Sequence, residues 1–105
     1  MNTSWKDIKG EIVLNATAKA KEGAAEELGM WLERLQANTK SEPGTLEYTF
    51  ARNGDTFVTW ERCADAAAFE EHLKGSLLQK FRKMNFLEYP HTPLFYTNIR
   101  GDVAK

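Results

Sequence analysis

Apolar and polar residues alternate along three segments of the chain, residues 11–18, 45–52 and 56–62. Because successive side chains of a β-strand point to opposite faces of a sheet, this two-residue period predicts a strand in each segment. Asn53-Gly54 lies between the second and third segments, and this dipeptide is typical of a tight hairpin turn. We therefore expect those two strands to pair as a hairpin, and residues 94–99 to form a final strand.

A three- to four-residue spacing of apolar residues predicts a helix over residues 23–38. A second helical region is predicted after Asp65, whose side chain is suited to cap a helix over residues 66–74. Gly75 is expected to end that helix, since glycine often follows the last helical turn. The Ser-Leu-Leu-Gln run at 76–79 resembles a capping box and predicts the start of another short helix.

The predicted order of elements is β-α-β-β-α-β, which is typical of a ferredoxin-like α+β fold with an antiparallel sheet. We assign residues 11–105 to this domain and residues 1–10 to a loose N-terminal arm. Val13 and Trp60 are predicted on the sheet face opposite the helices, where they would form a sizeable apolar patch in water. A second copy of the chain is the simplest cover for that patch, so we expect a homodimer.

Composition and charge narrow the classes of partner. A net charge of −1 and a pI of about 6.1 do not favour a nucleic-acid partner, and the basic cluster of Lys80, Arg82 and Lys83 is adequately explained as a solvated helix face. The first ten residues lack the apolar core of a signal peptide, and no apolar run approaches a membrane span. The single cysteine, Cys63, allows no intrachain disulfide. These features predict a cytoplasmic protein without a membrane partner.

His72 is the main candidate for chemistry. Its position on the helical wheel places it toward the sheet, where a half-buried imidazole titrates near neutral pH and can serve as a general base for a phenol or an enolisable ketone. It can equally be a core histidine bound to a backbone carbonyl or to Glu61. Glu61 in turn can hold His72 or line a pocket, or it can pair with Arg62 or Arg52 at the edge of the sheet.

Aromatic side chains offer a surface for a flat ligand. We expect a small aromatic substrate to stack between the sheet and the helices, although large apolar residues more commonly form plain core. Asn15 is a polar residue within an apolar strand and is a candidate to hydrogen-bond a substrate oxygen, with the face that it occupies left open. The candidate substrate-binding residues are Tyr48, Phe50, Trp60, Phe69, Phe81 and Tyr96. Ligand spacing for a metal and nucleotide-binding motifs are both absent, so we expect no cofactor.

The run 18–23, the turn Glu42-Pro43-Gly44, Glu61 and His72 together resemble the antibiotic biosynthesis monooxygenase family of small dimeric α+β barrels. The resemblance covers roughly residues 11–100. It implies a cofactor-independent monooxygenase that oxidises a phenolic, quinol or anthrone-like substrate with dioxygen. In that interpretation His72 takes a phenolic or enolic proton, with Asn15 and Glu61 in the catalytic group, and the electron-rich anion then reacts with dioxygen.

The chain departs from the family pattern at two positions. Cys63 stands where many members have a tryptophan, and Leu77 stands where many have a second histidine, so His72 would have to act alone. By a rough alignment, the residues of the haem-degrading branch are not matched either. Two alternatives therefore stay open on the same fold. One is an isomerase or decarboxylase of a small oxo compound, and the other is a dimeric barrel that binds a ligand without catalysis.

Overall fold

The computed structural model describes residues 4–89 and 92–100. Within them the chain forms a four-stranded sheet with helices on one face, and the predicted ferredoxin-like α+β fold is confirmed. Parts of the predicted arm and domain, residues 1–3 and 101–105, lie outside the described residues, as do Pro90 and His91. The elements are β1 (Ile12–Lys19), α1 (Ala25–Asn38), a 3-10 turn (Thr39–Ser41), β2 (Thr45–Asn53), β3 (Thr56–Cys63), α2 (Ala66–Leu73), α3 (Ser76–Arg82) and β4 (Thr92–Tyr96).

The sheet has the strand order β2-β3-β1-β4, and every neighbouring pair is antiparallel. In the register, Leu14 of β1 lies beside Glu61 of β3 and Phe95 of β4. Tyr48 of β2 lies on the other side of Glu61. Because residues in register share a face, these four side chains point together toward the helices. The sheet therefore places Glu61 in the middle of the face that the helices cover.

Two local sequence signals act as predicted. Gly54 adopts a positive φ of 62° in the turn between β2 and β3, a conformation that glycine reaches without steric cost. Asp65 precedes α2, and its side chain accepts a hydrogen bond from the backbone N–H of Ala68 at 2.8 Å. This bond satisfies one of the backbone donors that the first turn of a helix leaves free. Both features come from short segments of sequence and depend on no distant contact.

The junction between α2 and α3 agrees with the prediction at Gly75 and differs from it at Ser76. Gly75 follows Lys74, the C-cap of α2, so it ends this helix as predicted, and with φ −55° and ψ 132° it is also the extended residue that precedes α3. Ser76 is already the first helical residue, and its side chain makes no capping bond, so the predicted capping box does not form. Gln79 instead donates its side-chain amide to the backbone carbonyl of Leu73, which ties α3 to the end of α2. The last strand, predicted over residues 94–99, is β4, which begins two residues earlier and ends three residues earlier than predicted.

The N-terminal arm is partly packed. Trp5 meets the ring of Phe69 edge-on, with ring centroids 5.0 Å apart, and Ile8 packs against the same apolar cluster. The expectation of a loose arm is therefore corrected for these residues. A sequence pattern could not show this, because the contact joins segments that are more than sixty residues apart.

The sheet face away from the helices carries exposed apolar side chains. Trp60 is 37% exposed and Tyr96 is 45% exposed, and Val58 and Leu94 lie on the same face. Val13 also lies there, but it is buried, so it does not contribute to the expected patch. Among the helices that the structure describes, none has the length and apolar character needed to cross a membrane.

Candidate active site

A cavity of about 370 Å³ lies between the sheet and the helices. This size lies within the range of small-molecule sites, and most of its wall is apolar. Two ionisable side chains, His72 and Glu61, line one part of the wall. The apolar lining includes Leu14, Leu28, Leu32, Phe57, Phe81 and Leu87.

His72 lies in α2 and is 5% exposed, so its ring nitrogens depend on protein partners. Its Nδ1 atom is 2.6 Å from Oε1 of Glu42, and its Nε2 atom is 3.2 Å from Oε1 of Glu61. The ring also stacks on Phe69, with ring centroids 6.0 Å apart. The imidazole is therefore held between two carboxylates, one in the turn before β2 and one in β3.

Glu42 reaches His72 because the turn Glu42-Pro43-Gly44 lies against α2. A β-carbon at Gly44 would come within 2.4 Å of the Ala68 side chain, so only glycine permits this close approach. Ala68 and His72 are four residues apart and lie on the same face of the helix. The absence of a side chain at Gly44 thus brings the Glu42 carboxylate to the imidazole.

The charges on the two carboxylates decide the protonation of His72. Burial lowers the pKa of His72, but hydrogen bonds to Glu61 and Glu42 and their negative charges outweigh burial, so the pKa is raised overall. Each ring nitrogen faces a carboxylate oxygen, and both must carry a hydrogen for both contacts to be favourable. His72 is then an imidazolium without a free lone pair. This geometry does not suit the expected role of His72 as a lone general base.

Glu61 is buried in β3, and its side chain faces the cavity. Of the two arrangements considered from the sequence, the structure has the one in which Glu61 contacts His72. Pairing with the arginines is not observed, because Arg62 bonds Glu11 and Glu47 on the opposite sheet face and Arg52 bonds Glu26. Strand alternation explains the difference, since Glu61 and Arg62 are neighbours in sequence and point to opposite faces.

Three of the predicted substrate-binding aromatics, Tyr48, Phe69 and Phe81, line the cavity. Burial, followed by the negative charges of Glu61 and Glu42, raises the pKa of Tyr48 far above its usual value, so its phenol stays neutral. Phe50 packs at the margin of the nearby apolar cluster and is not part of the cavity wall. Three of the six predicted aromatic residues therefore line the cavity, and their contact with a substrate stays a prediction.

Trp60, Tyr96 and Asn15 lie on the other sheet face. The predicted place of Trp60 and Tyr96 in the cavity is therefore corrected, and the face of Asn15, which the sequence left open, is the one away from the cavity. In the register, Asn15 lies beside Trp60, and the adjacent pair Val13 and Tyr96 shares that face. Asn15 donates its side-chain amide to the backbone carbonyl of Thr59 at 3.2 Å, so within the described residues it has a structural partner. Side chains alternate between the two faces of each strand, and the register of neighbouring strands extends each face across the sheet. The sheet therefore lies between these residues and the pair His72 and Glu61.

Sequence reasoning missed three residues of the site. Glu42 was seen only as part of a tight turn, and Trp5 only as part of the arm, yet Trp5 lines the cavity. Arg82 at the end of α3 also lines it, although its basic neighbours suggested a solvated face. For Glu42 a signal was present, because an acidic residue directly before Pro-Gly belonged to the family resemblance. Trp5 and Arg82 had no comparable signal.

Cys63 offers no reactive thiol to the site. Burial, followed by the negative charge of Glu61, raises the pKa of Cys63 to about 11, so the thiol stays protonated at neutral pH. Within residues 4–89 and 92–100, no group of three or more His, Cys, Asp or Glu side chains is arranged to hold a metal ion. The chemistry that the described site can offer is therefore proton transfer and charge stabilisation by Glu42, His72 and Glu61, beside a neutral Tyr48.

A sequence model of the family described as antibiotic biosynthesis monooxygenase matches residues 11–84 of the chain. No curated protein sequence matches this chain significantly. Among solved structures, protein SO0527 from Shewanella oneidensis is 26% identical over 85% of this chain and 91% of that one, with a TM-score of 0.77. Protein PA3566 from Pseudomonas aeruginosa is also 26% identical, over 87% of this chain and 96% of that one, with a TM-score of 0.78.

A candidate antibiotic biosynthesis monooxygenase from Caulobacter crescentus is 20% identical over 88% of this chain and 92% of that one, with a TM-score of 0.79. At that level of identity the likeness shows a shared fold. The match of the family model to residues 11–84 includes Glu42, Glu61 and His72, so the whole carboxylate–imidazole group lies within the matched region.

Proposed function

Because the chain belongs to the antibiotic biosynthesis monooxygenase family, we propose that it is a cofactor-independent monooxygenase. Its substrate is a phenolic, quinol or anthrone-like compound that dioxygen oxidises inside the cavity. The single observation that carries the proposal is the buried His72–Glu61 pair, which faces an otherwise largely apolar cavity. Such a cavity accommodates a flat aromatic ring and presents the His72–Glu61 pair to it.

The electrons for the reaction come from the substrate. The His72–Glu61 pair takes a proton from the substrate, and the anion that remains transfers one electron to dioxygen. The substrate radical and superoxide combine to a peroxide, which takes the proton back. At an anthrone carbon the hydroperoxide then loses water and leaves a carbonyl group, so that one oxygen atom enters the product and the other leaves as water.

Apolar walls support this chemistry in two ways. They remove water from the substrate, and a charge interaction between the pair and the substrate is stronger in such surroundings than in water. The aromatic rings of Phe69 and Phe81 offer surfaces for stacking. Tyr48 stays a neutral phenol beside Glu61, so it can donate a hydrogen bond but does not compete for the proton.

The proposal includes a homodimer in the cytoplasm. The exposed side chains of Val58, Trp60, Leu94 and Tyr96 lie together on the sheet face opposite the cavity. A second copy that packs on this face would cover them and would leave the cavity open on the helix side. This arrangement is the dimeric α+β barrel that the family resemblance implies.

Oxygen consumption tests the function directly. Purified protein is mixed with a panel of naphthohydroquinones and anthrones in an oxygen electrode without added cofactor. Protein-dependent uptake is expected, and Glu61→Gln is expected to reduce kcat by about 10²–10⁴-fold, the usual contribution of a proton-transfer residue. Glu70→Gln is the matched control, because Glu70 is exposed on α2 and is absent from the cavity wall.

Three outcomes would contradict the proposal. Unchanged turnover in Glu61→Gln would exclude the pair as the proton acceptor. Conversion of a substrate without oxygen uptake would favour the isomerase or decarboxylase alternative. Tight binding of ligands across the panel without any conversion would favour a ligand-binding barrel.

A further inference from the structure

We propose that Glu42 is a positioning residue of this site: it keeps His72 doubly protonated, so that Glu61 rather than His72 accepts the substrate proton. The first part concerns the ground state of the protein and holds without any substrate. The second part rests on the proposed function. Glu42 does not line the cavity, so it acts through His72 and not by touching the substrate.

The contacts of the imidazole carry the first part. A neutral imidazole has one N–H and one lone pair, and here the lone pair would face a carboxylate oxygen at 2.6 Å or at 3.2 Å. That contact would be repulsive and would leave a buried nitrogen without a hydrogen-bond donor. With both nitrogens protonated, Nδ1–H donates to Glu42 and Nε2–H donates to Glu61. The contact to Glu42 is the shorter of the two, so removal of either carboxylate leaves one ring nitrogen without its acceptor.

The surroundings of Glu42 favour its role as a hydrogen-bond acceptor. Its carboxylate accepts from the hydroxyl of Thr45 at 2.7 Å and from the side-chain amide of Asn38 at 3.4 Å, in addition to His72. Donors directed at a carboxylate stabilise its ionised form. Its side chain is 20% exposed beside a second cleft, which Ser41, Thr45 and Glu71 also line. Glu42 therefore lies on the solvent side of His72, whereas Glu61 lies on the cavity side.

Other ionisable groups do not replace Glu42. Among the described residues, the titratable side chains in contact with His72 are Glu42 before β2, Tyr48 in β2 and Glu61 in β3. Arg82 at the end of α3 lines the same cavity and is a cation, so it does not supply the negative charge of Glu42. Tyr48 is neutral because burial and the two carboxylates keep it protonated. Glu71 directly precedes His72 on α2, but it is exposed and pairs with Lys74. The charge on His72 is therefore set by two carboxylates.

The charge balance explains the second part. Two carboxylates and one imidazolium give the buried group a net charge of −1, so a proton taken up by Glu61 makes the group neutral. Without the charge of Glu42, the same proton would leave a buried positive charge, which is unfavourable away from water. Glu42 thus makes Glu61 a better proton acceptor although Glu42 lies on the far side of the imidazole.

An NMR titration of the histidine ring signals tests the first part without any substrate. The chain has two histidines, and the His72→Gln variant identifies the signal of His72. In the wild type His72 is expected to titrate above the usual value of about 6.5, and in Glu42→Gln its pKa is expected to fall. Glu42→Asp keeps the charge at a longer distance and is expected to lie between the two. Glu71→Gln, which alters the same cleft, is expected to leave the titration unchanged.

The titration alone decides the first part. An unchanged pKa of His72 in both Glu42→Gln and Glu42→Asp would overturn the proposal, whether or not any substrate is oxidised. If Glu42→Gln does not fold, Glu42→Asp gives the same decision by the direction of its shift. Absence of oxygen uptake by the wild-type protein would count against the proposed function and would leave this measurement intact.

Kinetics with the most active substrate test the second part. Glu42→Gln is expected to leave KM nearly unchanged, because Glu42 does not touch the substrate, and to lower kcat by at most about tenfold for each unit of basicity that the acceptor loses. The loss is expected to be greater for weakly acidic phenols than for strongly acidic ones, since a weaker acceptor matters most for the less acidic proton. An equal kcat in wild type and Glu42→Gln across all substrates would overturn this part.

Discussion

Gly44 lies where the turn before β2 meets α2 and where a side chain has no room. A β-carbon at this position would be 2.4 Å from Cβ and 3.3 Å from Cα of Ala68. The Cβ atom is the whole side chain of Ala68 and the Cα atom belongs to the helix backbone, so neither can rotate away. Gly44→Ala therefore requires the turn and α2 to move apart.

The size of the required movement sets the expected cost. Carbon atoms in favourable contact lie about 3.5–4.0 Å apart, so the turn and the helix must separate by roughly 1 Å or more. Extra methyl groups forced into packed sites typically cost about 1–3 kcal/mol. In a domain of this size each kcal/mol lowers Tm by about 4–8 °C. The same movement takes Glu42 away from His72, so the pKa of His72 is expected to fall as well.

Urea denaturation of Gly44→Ala measures the change in the free energy of unfolding. Gly29→Ala is the matched control, because the same methyl group would lie 3.7 Å from Phe57, an ordinary contact, within α1. Alanine is favoured over glycine inside a helix by about 0.5–1 kcal/mol, so this control is expected to be more stable than the wild type. The same substitution thus has opposite signs at two positions.

A double-mutant cycle separates the clash from a general effect on the turn. Ala68→Gly removes the β-carbon at the closest contact, so Gly44→Ala is expected to cost less in that background than in the wild type. If Gly44→Ala is as stable as the wild type, or if its cost is the same in both backgrounds, the contact between this turn and α2 does not hold Glu42 in place.

The remaining predictions concern the titration of His72, the cap of α2 and the open sheet face. The free energy of unfolding of the wild type is expected to decrease as pH rises above about 6.5 and through the raised pKa of folded His72, because the folded state loses there a proton that it binds more tightly than the unfolded state. Urea denaturation midpoints measured over a series of pH values should show this decrease. If the midpoint depends on pH in the same way in the wild type and in His72→Gln, the prediction is contradicted. Asp65→Ala is expected to cost about 1 kcal/mol, measured by urea denaturation, since it removes the acceptor for the first turn of α2; an unchanged midpoint would exclude that role. Trp60→Glu is expected to shift a homodimer toward monomer in sedimentation experiments, whereas Met30→Glu, at a position 60% exposed on α1, is not; equal dimerisation of the two variants would place the interface elsewhere.

Much of the fold was predictable because its signals are local. Alternation in β1, β2 and β3, the turn at Gly54 and the cap at Asp65 each depend on residues within a few positions. The α2–α3 junction was predicted in part. Gly75 follows the C-cap of α2 as predicted, but Ser76 is the first helical residue of α3 and not its cap.

The site was predictable as far as periodicity reaches. The helical wheel placed His72 toward the sheet, and strand alternation placed Glu61 on the face opposite Trp60. The face of Asn15 stayed open, and Trp60 and Tyr96 were grouped with the cavity although they lie behind the sheet. Periodicity shows which residues share a face, but it does not show which of the two faces the helices cover.

By itself, the sequence determined the order of elements and the hairpin, and it indicated His72 and Glu61 as candidates for chemistry. Only the tertiary structure decided that His72 has a second carboxylate partner, thirty positions away in the chain. That contact depends on how closely the turn at Gly44 approaches α2. Closeness of this kind results from the packing of whole elements, which no local pattern records, and it determines the charge on His72.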